Sequence, residues 1–241
     1  MTKIDHIGNI LLEGCIMTLG QYLLYFAILM IVPIIAQSKV KSAYNKYSKV
    51  ATSSQMTGAE VARKILDDNG LYDVHIEEVK GTLSDHYDPR KKVVRLSKGI
   101  YHGRSMASSA VAAHEVGHAI QDSESYAFLN FRSALFPVAN FGSNISFILI
   151  IAGAIMGAMN LVVIGIAFMA VAVLFQLVTL PVEFNASNRA MDQLVASGII
   201  LNNEERDTKK VLNAAALTYV AAALVAVAEL IRFILIFASN D

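Results

Sequence analysis

Four apolar stretches constrain this chain before anything else. Each is long enough to cross a hydrocarbon layer that takes about 20 helical residues: near Ile16 to Ala36, Leu135 to Met156, Leu161 to Val182 and Val211 to Phe237. Lipid offers no hydrogen bonds to a backbone, so spanning stretches of this kind predict helices. The chain therefore reads as mainly α, a polytopic membrane protein with about four transmembrane helices. Its composition, 55% hydrophobic and only 17% charged, fits that class. The first stretch starts late and lacks a small-residue cleavage site, so it reads as a retained anchor and not a cleaved signal. Only a few residues around Met159-Asn160 separate the second and third stretches, which predicts a tight transmembrane hairpin. In the fourth, Glu229 and Arg232 stand at i,i+3, spaced to pair and to snorkel near one end. Use of these two charges by a channel or transporter is the competing reading.

Orientation follows from the basic residues. Of the 20 Lys and Arg, only Lys3 and Arg232 lie outside segments 38–134 and 183–210. By the positive-inside bias those two segments face the cytoplasm, with both termini outside. Lys39, Lys41, Lys46 and Lys49 directly after the first span cast the strongest local vote. The chain then divides into an N-terminal segment and first span (1–37), a cytoplasmic module (38–134), a hairpin of two spans (135–182), a second cytoplasmic segment (183–210) and a last span with the C-terminus (211–241). The hairpin leaves and returns on one side, so residues near 118 and 183 can meet. A formal net charge of zero gives no basic excess for nucleic acid. Cys15 is the single cysteine, which excludes a disulfide framework and a cysteine-rich metal site.

Segment 38–134 is polar enough for a small α+β module that leans on the membrane helices. Thr57-Gly58-Ala59-Glu60 is a capping-box pattern, followed by Val61, Ile65 and Leu66 on one helix face and Gly70 as a stop. Val74 to Val79 alternates, and Val93, Val94 and Leu96 follow the turn signal Asp88-Pro89-Arg90, which predicts a small sheet or hairpin. His75 then faces solvent or a partner strand. An Ala-rich helix is expected from about Ser105–Ser109 through Ile120, ending or bending at Asp122-Ser123.

That helix carries His114-Glu115-Val116-Gly117-His118. Positions i and i+4 share a helix face, so both imidazoles reach one ion while Glu115 sits beside an open coordination position as a base. Any amphipathic helix can hold such a pattern by accident. Here Ala112, Ala113, Gly117 and Ala119 leave room for close packing, and burying two His and a Glu uncompensated would cost several kcal/mol. A catalytic zinc takes three protein ligands and keeps one position open. Glu183, directly after the third span in Leu180-Pro181-Val182-Glu183-Phe184-Asn185-Ala186-Ser187, is the best candidate for the third, and an ordinary interfacial glutamate is the alternative reading. His86 is a rival third ligand. Asp88 reads as turn chemistry before Pro89. Arg189 and Arg104 read as juxtamembrane anchors or as partners for a substrate carboxylate.

Three segments together, Ala113 to Gln121, Pro181 to Ser187 and Asp85-His86-Tyr87-Asp88-Pro89-Arg90, resemble the bacterial membrane zinc metallopeptidases of the YugP type over nearly the whole chain. More distantly the chain is similar to the membrane gluzincins of the HtpX and CAAX-prenyl-protease group, where HExxH is followed by a Glu on a later helix. The resemblance implies a zincin-like module, zinc bound by His114, His118 and Glu183, and Glu115 as the base. It also implies a multi-pass protein of the bacterial cytoplasmic membrane with its active site on the cytoplasmic side. One position departs: Ser187 stands where the wider group carries an acid that supports a ligand histidine.

These parts fit zinc-promoted peptide hydrolysis, in which Glu115 takes a proton from the attacking water and returns it to the leaving amine. A second oxyanion donor is expected, and His86, Tyr87 and His102 are candidates by residue type and chain position. In the related enzymes an edge strand before the metal helix binds extended substrate, and Asp85 to Leu96 occupies that place. The expected partners are polypeptides, chiefly membrane or membrane-associated proteins, and the bilayer itself. Small-residue runs such as Gly153 to Gly157 could pack helices within the chain or against regulatory or oligomeric partners. A non-catalytic metal-binding scaffold is the alternative to an endopeptidase.

Overall fold

The computed structural model describes residues 19–238. Lys3, Cys15 and positions 16–18 of the first apolar stretch lie outside the described residues. Among the described residues, four helices are long and apolar enough to cross a membrane: α1 (Leu19–Tyr47), α5 (Ala127–Met156), α6 (Met159–Ala196) and α7 (Asn202–Ala238). Between α1 and α5 come α2 (Gly58–Asp68), β1 (His75–Val79), β2 (His86–Asp88), β3 (Val93–Ser97), the single turn α3 (Lys98–Tyr101) and α4 (Met106–Ser123).

The long helices outrun the apolar stretches that announce them. α6 continues past Val182 through Glu183, Asn185, Arg189 and Gln193 to Ala196, so Glu183 lies inside a helix and not at its end. Loss of apolar character ends a membrane span, yet residues such as Glu, Ala, Arg, Met, Gln and Leu keep a helix going. The break between α5 and α6 falls where expected. Gly157 takes φ +64, and the Ala158 N–H donates to the Gly153 carbonyl at 2.8 Å, closing the first helix before Met159 opens the second.

By packing, the described residues form two compact units, one of residues 19–35, 131–179 and 220–238, the other of 36–130 and 180–219. In the first, glycines let α5 and α6 approach within the chain. A Cβ on Gly153 would stand 2.8 Å from the Val162 nitrogen, and one on Gly165 would stand 2.8 Å from the Ser146 carbonyl oxygen. Arg232 pairs with Glu229 at 2.5 Å, as their spacing predicts, and the Tyr25 hydroxyl donates to the same carboxylate at 2.8 Å.

The second unit holds the main hydrophobic core. Val61, Ala62, Ile65 and Leu66 of α2 pack with Val94 and Leu96 of β3, Ala110, Ala113 and Val116 of α4, and Ala190 and Leu194 of α6. The capping box of α2 forms as read: the Glu60 N–H donates to Thr57 Oγ1 at 3.2 Å, and the Thr57 N–H to Glu60 Oε2 at 2.7 Å. The strand order is β1-β3-β2, with β1 parallel and β2 antiparallel to β3. The Asp88 turn closes the β2–β3 hairpin, its carboxylate accepting from the Arg90 N–H at 3.1 Å. His75 is exposed on β1 and lies opposite Val93. α4 begins at the Ser105 cap, and Ala51 bridges to Ser105 to fix where it starts.

If the Thr57 cap holds α2 against this core, Thr57→Ala should cost about 1 kcal/mol. That would lower the midpoint of a circular-dichroism melt in detergent by roughly 2–4 °C, with helix content at low temperature unchanged.

Candidate metal centre

The site is made where α4 meets α6. Gly117 permits the contact: a Cβ there would lie 2.6 Å from the Ala186 carbonyl oxygen, closer than any side chain tolerates. A glycine inside a helix costs about 1 kcal/mol against alanine, and here it admits a neighbouring backbone. With the helices this close, His114 and His118 on α4 face Glu183 on α6. His114 Nε2 stands 3.3 Å and His118 Nε2 3.7 Å from Glu183 Oε2, and one donor atom from each of the three lies within 4.8 Å of the others. The two rings meet edge to face at 82°, so their Nε2 atoms converge while the ring planes do not stack. Glu183 is 2% exposed and Glu115 8%.

A second layer fixes both rings. The Ser187 hydroxyl lies 3.2 Å from His114 Nδ1, and Gln121 Oε1 lies 3.0 Å from His118 Nδ1. An oxygen accepting from each Nδ1–H leaves each Nε2 lone pair directed at the common point. Gln121 is fully buried, and its amide nitrogen donates to the Val182 carbonyl and to Asn185 Oδ1, both at 2.8 Å. Arg189 Nε donates to the same Asn185 oxygen at 2.8 Å, while its Nη2 reaches Glu124 at 2.6 Å. Sequence reading gave Gln121 no role. A polar residue three positions after His118, on an otherwise small and apolar face, was the available signal.

The donor set suits a divalent cation. Two imidazole nitrogens and one carboxylate oxygen are a zinc-type set, and tetrahedral bonds of about 2.0–2.1 Å place neighbouring ligand atoms about 3.4 Å apart. The 3.3 and 3.7 Å separations bracket that figure. The electrostatics agree: burial works to lower the His118 imidazole, but the Glu183 and Glu115 carboxylates outweigh it and raise it, so positive charge is favoured here. Burial pushes the Glu115 carboxyl above its ordinary range, against the pull of the two imidazoles, which moves it toward the range of a working general base.

His114 and Glu115 both line a cavity of about 280 Å³ that also meets Asp85, Tyr44 and Tyr219. His86, Tyr87 and His102 are not among its lining residues. His86 is exposed and lies 2.9 Å from the Ser84 carbonyl, and His102 is exposed and paired with Glu78 at 2.8 Å. Tyr87 donates to Asp122 at 2.9 Å, and burial together with that carboxylate raises its hydroxyl pKa. Arg104 sits by the cap of α2, 4.0 Å from Glu60. A broader groove of about 770 Å³ runs along α2 and β1, but its charges pair internally, Arg63 with Asp67 and Lys64 with Asp68.

Among the described residues, four helices of membrane-spanning length stand with two partly buried imidazoles and a buried carboxylate that converge on one point and could hold a metal ion. The chain belongs to the family described as "Putative neutral zinc metallopeptidase", whose model matches residues 22–238. It is 58% identical over 202 residues to the "Putative membrane protease YugP" of Bacillus subtilis (strain 168), covering 84% of this chain and 90% of that protein. No solved structure matches it.

Because Gly117 sets the helix approach and Gln121 holds one ring, both positions should report on metal affinity. Gly117→Ala should abolish tight zinc binding, and Gln121→Ala should weaken it by about 10–100-fold. Competition against a chromophoric chelator, with circular dichroism to show retained helix, reads both.

Proposed function

We propose that this protein is a membrane-embedded zinc endopeptidase of the gluzincin type. The observation that carries the reading is the convergence of His114, His118 and Glu183 within 4.8 Å, with Glu115 lining the same cavity as His114. His114 Nε2, His118 Nε2 and a Glu183 oxygen would hold the ion. Zinc, when bound, would lower the pKa of its water toward neutrality and polarise a scissile carbonyl.

The chain's own residues do the rest. Glu115, raised by burial, takes the proton of the attacking water and delivers it to the leaving amine. Ser187 and Gln121 keep the two imidazoles in the tautomer that presents Nε2. Tyr44, Thr218 and Tyr219 carry hydroxyls on the cavity wall, that of Thr218 already donating to the Ala215 carbonyl, and oxyanion donation falls more naturally to one of the two tyrosines than to His86, Tyr87 or His102. Segments 38–134 and 183–210 form the zincin-like catalytic module, and their lysines and arginines favour a cytoplasmic orientation at the bacterial cell membrane. Substrates are then membrane or membrane-associated polypeptides, entering as extended chain beside β2, an outer strand of the sheet.

Zinc per chain in detergent-purified protein and cleavage of an unfolded protein substrate test this together. Wild type should hold near-stoichiometric zinc and cleave. Glu183→Ala should lose the zinc, and Glu115→Gln should keep it while losing at least about 10²-fold in rate. Cleavage undiminished in Glu115→Gln would refute the assignment of the base, and zinc with no cleavage in wild type would favour a metal-binding scaffold.

A further inference from the structure

We propose that the cavity beside Glu115 is the subsite that selects substrate, and that it takes a large apolar side chain flanking the scissile bond. The inference rests on the proteolytic reading above and adds the chemistry of what is cut. Its volume, about 280 Å³, falls just below the roughly 300–1,000 Å³ of pockets that enclose a whole small molecule. That is the scale of one or two residues of a polypeptide.

The walls decide which residues. Val111 stands on α4 one turn before His114 and Glu115, and Val211, Leu212 and Ala215 present an apolar stripe from α7. Val40 and Leu83 complete the apolar lining. No lysine or arginine is among the lining residues, and the carboxylates that reach the cavity, Glu115 and Asp85, are both acidic. An Asp or Glu side chain of a substrate would be desolvated beside these two carboxylates with no lysine or arginine of the wall to meet. A Lys or Arg finds little here either: Asp85 already accepts from the Ser97 N–H at 2.6 Å and from its hydroxyl at 3.2 Å. Leu83 and Asp85 directly precede β2, so a chain lying along that strand passes the cavity mouth.

Ala215 is the smallest of the wall residues, partly buried, and filling it should close the subsite. The test uses the zinc-loaded, detergent-purified full chain with β-casein as a flexible substrate, and maps every cleavage site by mass spectrometry. Wild type should show Leu, Ile, Phe or Met enriched at one position flanking the cut. Ala215→Phe should move that position to Ala, Gly or Ser and lower kcat/KM for a quenched Leu-containing peptide by about tenfold or more, with zinc per chain unchanged. Val111→Ala, which enlarges the space, should instead favour Phe over Leu. Cleavage without preference, or with Asp, Glu, Lys or Arg preferred at that position, overturns the subsite and leaves the protease reading standing. Zinc-loaded wild type that cuts nothing overturns the protease reading itself. If Ala215→Phe fails to hold zinc, the wild-type map and Val111→Ala decide.

Discussion

Everything chemical in this protein depends on one backbone contact, Gly117 of α4 against the carbonyl of Ala186 in α6. Two imidazoles and a carboxylate come from positions nearly seventy residues apart only because these helices touch there. A methyl group at that point would push the helices apart by more than the few tenths of an ångström that a metal set tolerates. The contact also explains why the surroundings are small. Ala113, Val116, Ala119, Ala186 and Ala190 are all essentially fully buried, and their short side chains suit a close helix approach.

The contact brings charge where lipid-like packing would exclude it, and the second layer makes that tolerable. Gln121 spends both ends of its amide across the seam: one end holds the His118 ring, the other satisfies the Val182 carbonyl and Asn185. A change in helix spacing therefore moves the ring, and the ring's position constrains the spacing. Asn185, Arg189 and Glu124 carry the same chain of hydrogen bonds out toward solvent, where the last ion pair is partly exposed.

The HExxH spacing, the α2 cap and the four apolar stretches were legible because each is a local pattern: a turn of helix, a capping box, a run of about 20 apolar residues. Glu183 could be preferred to His86 as third ligand, but residue type and chain position alone do not separate it from an ordinary interfacial glutamate, because what faces α4 is a tertiary fact. The third apolar stretch ends at Val182 while α6 runs on to Ala196, since hydropathy marks where lipid contact stops and not where the backbone turns. Gln121 and Ser187 went unassigned for a related reason. Their role lies in what faces them across a helix seam, and neither residue type nor spacing on its own helix encodes that. The strand β2 is only three residues long and reads as part of a turn until β3 is there to pair with it.

Ser187 illustrates how the site's charge is balanced. The ligands proposed here are two neutral imidazoles and one carboxylate, and Glu115 adds a second carboxylate beside them. Two negative charges against one divalent cation leave the buried cluster neutral, the state a low-dielectric setting tolerates at least cost. An acid in place of Ser187, as in the wider group the chain resembles, would add a third negative charge within hydrogen-bond reach of His114. It would make that imidazole a stronger ligand, but it would need a compensating cation, and Arg189, two residues further along α6, is already held by Asn185 and Glu124. A hydroxyl still fixes the ring tautomer, accepting from Nδ1–H while leaving the total charge unchanged. The departure from the wider pattern is therefore consistent with the rest of the cluster: with Arg189 already engaged, a neutral acceptor orients the ligand without unbalancing the site.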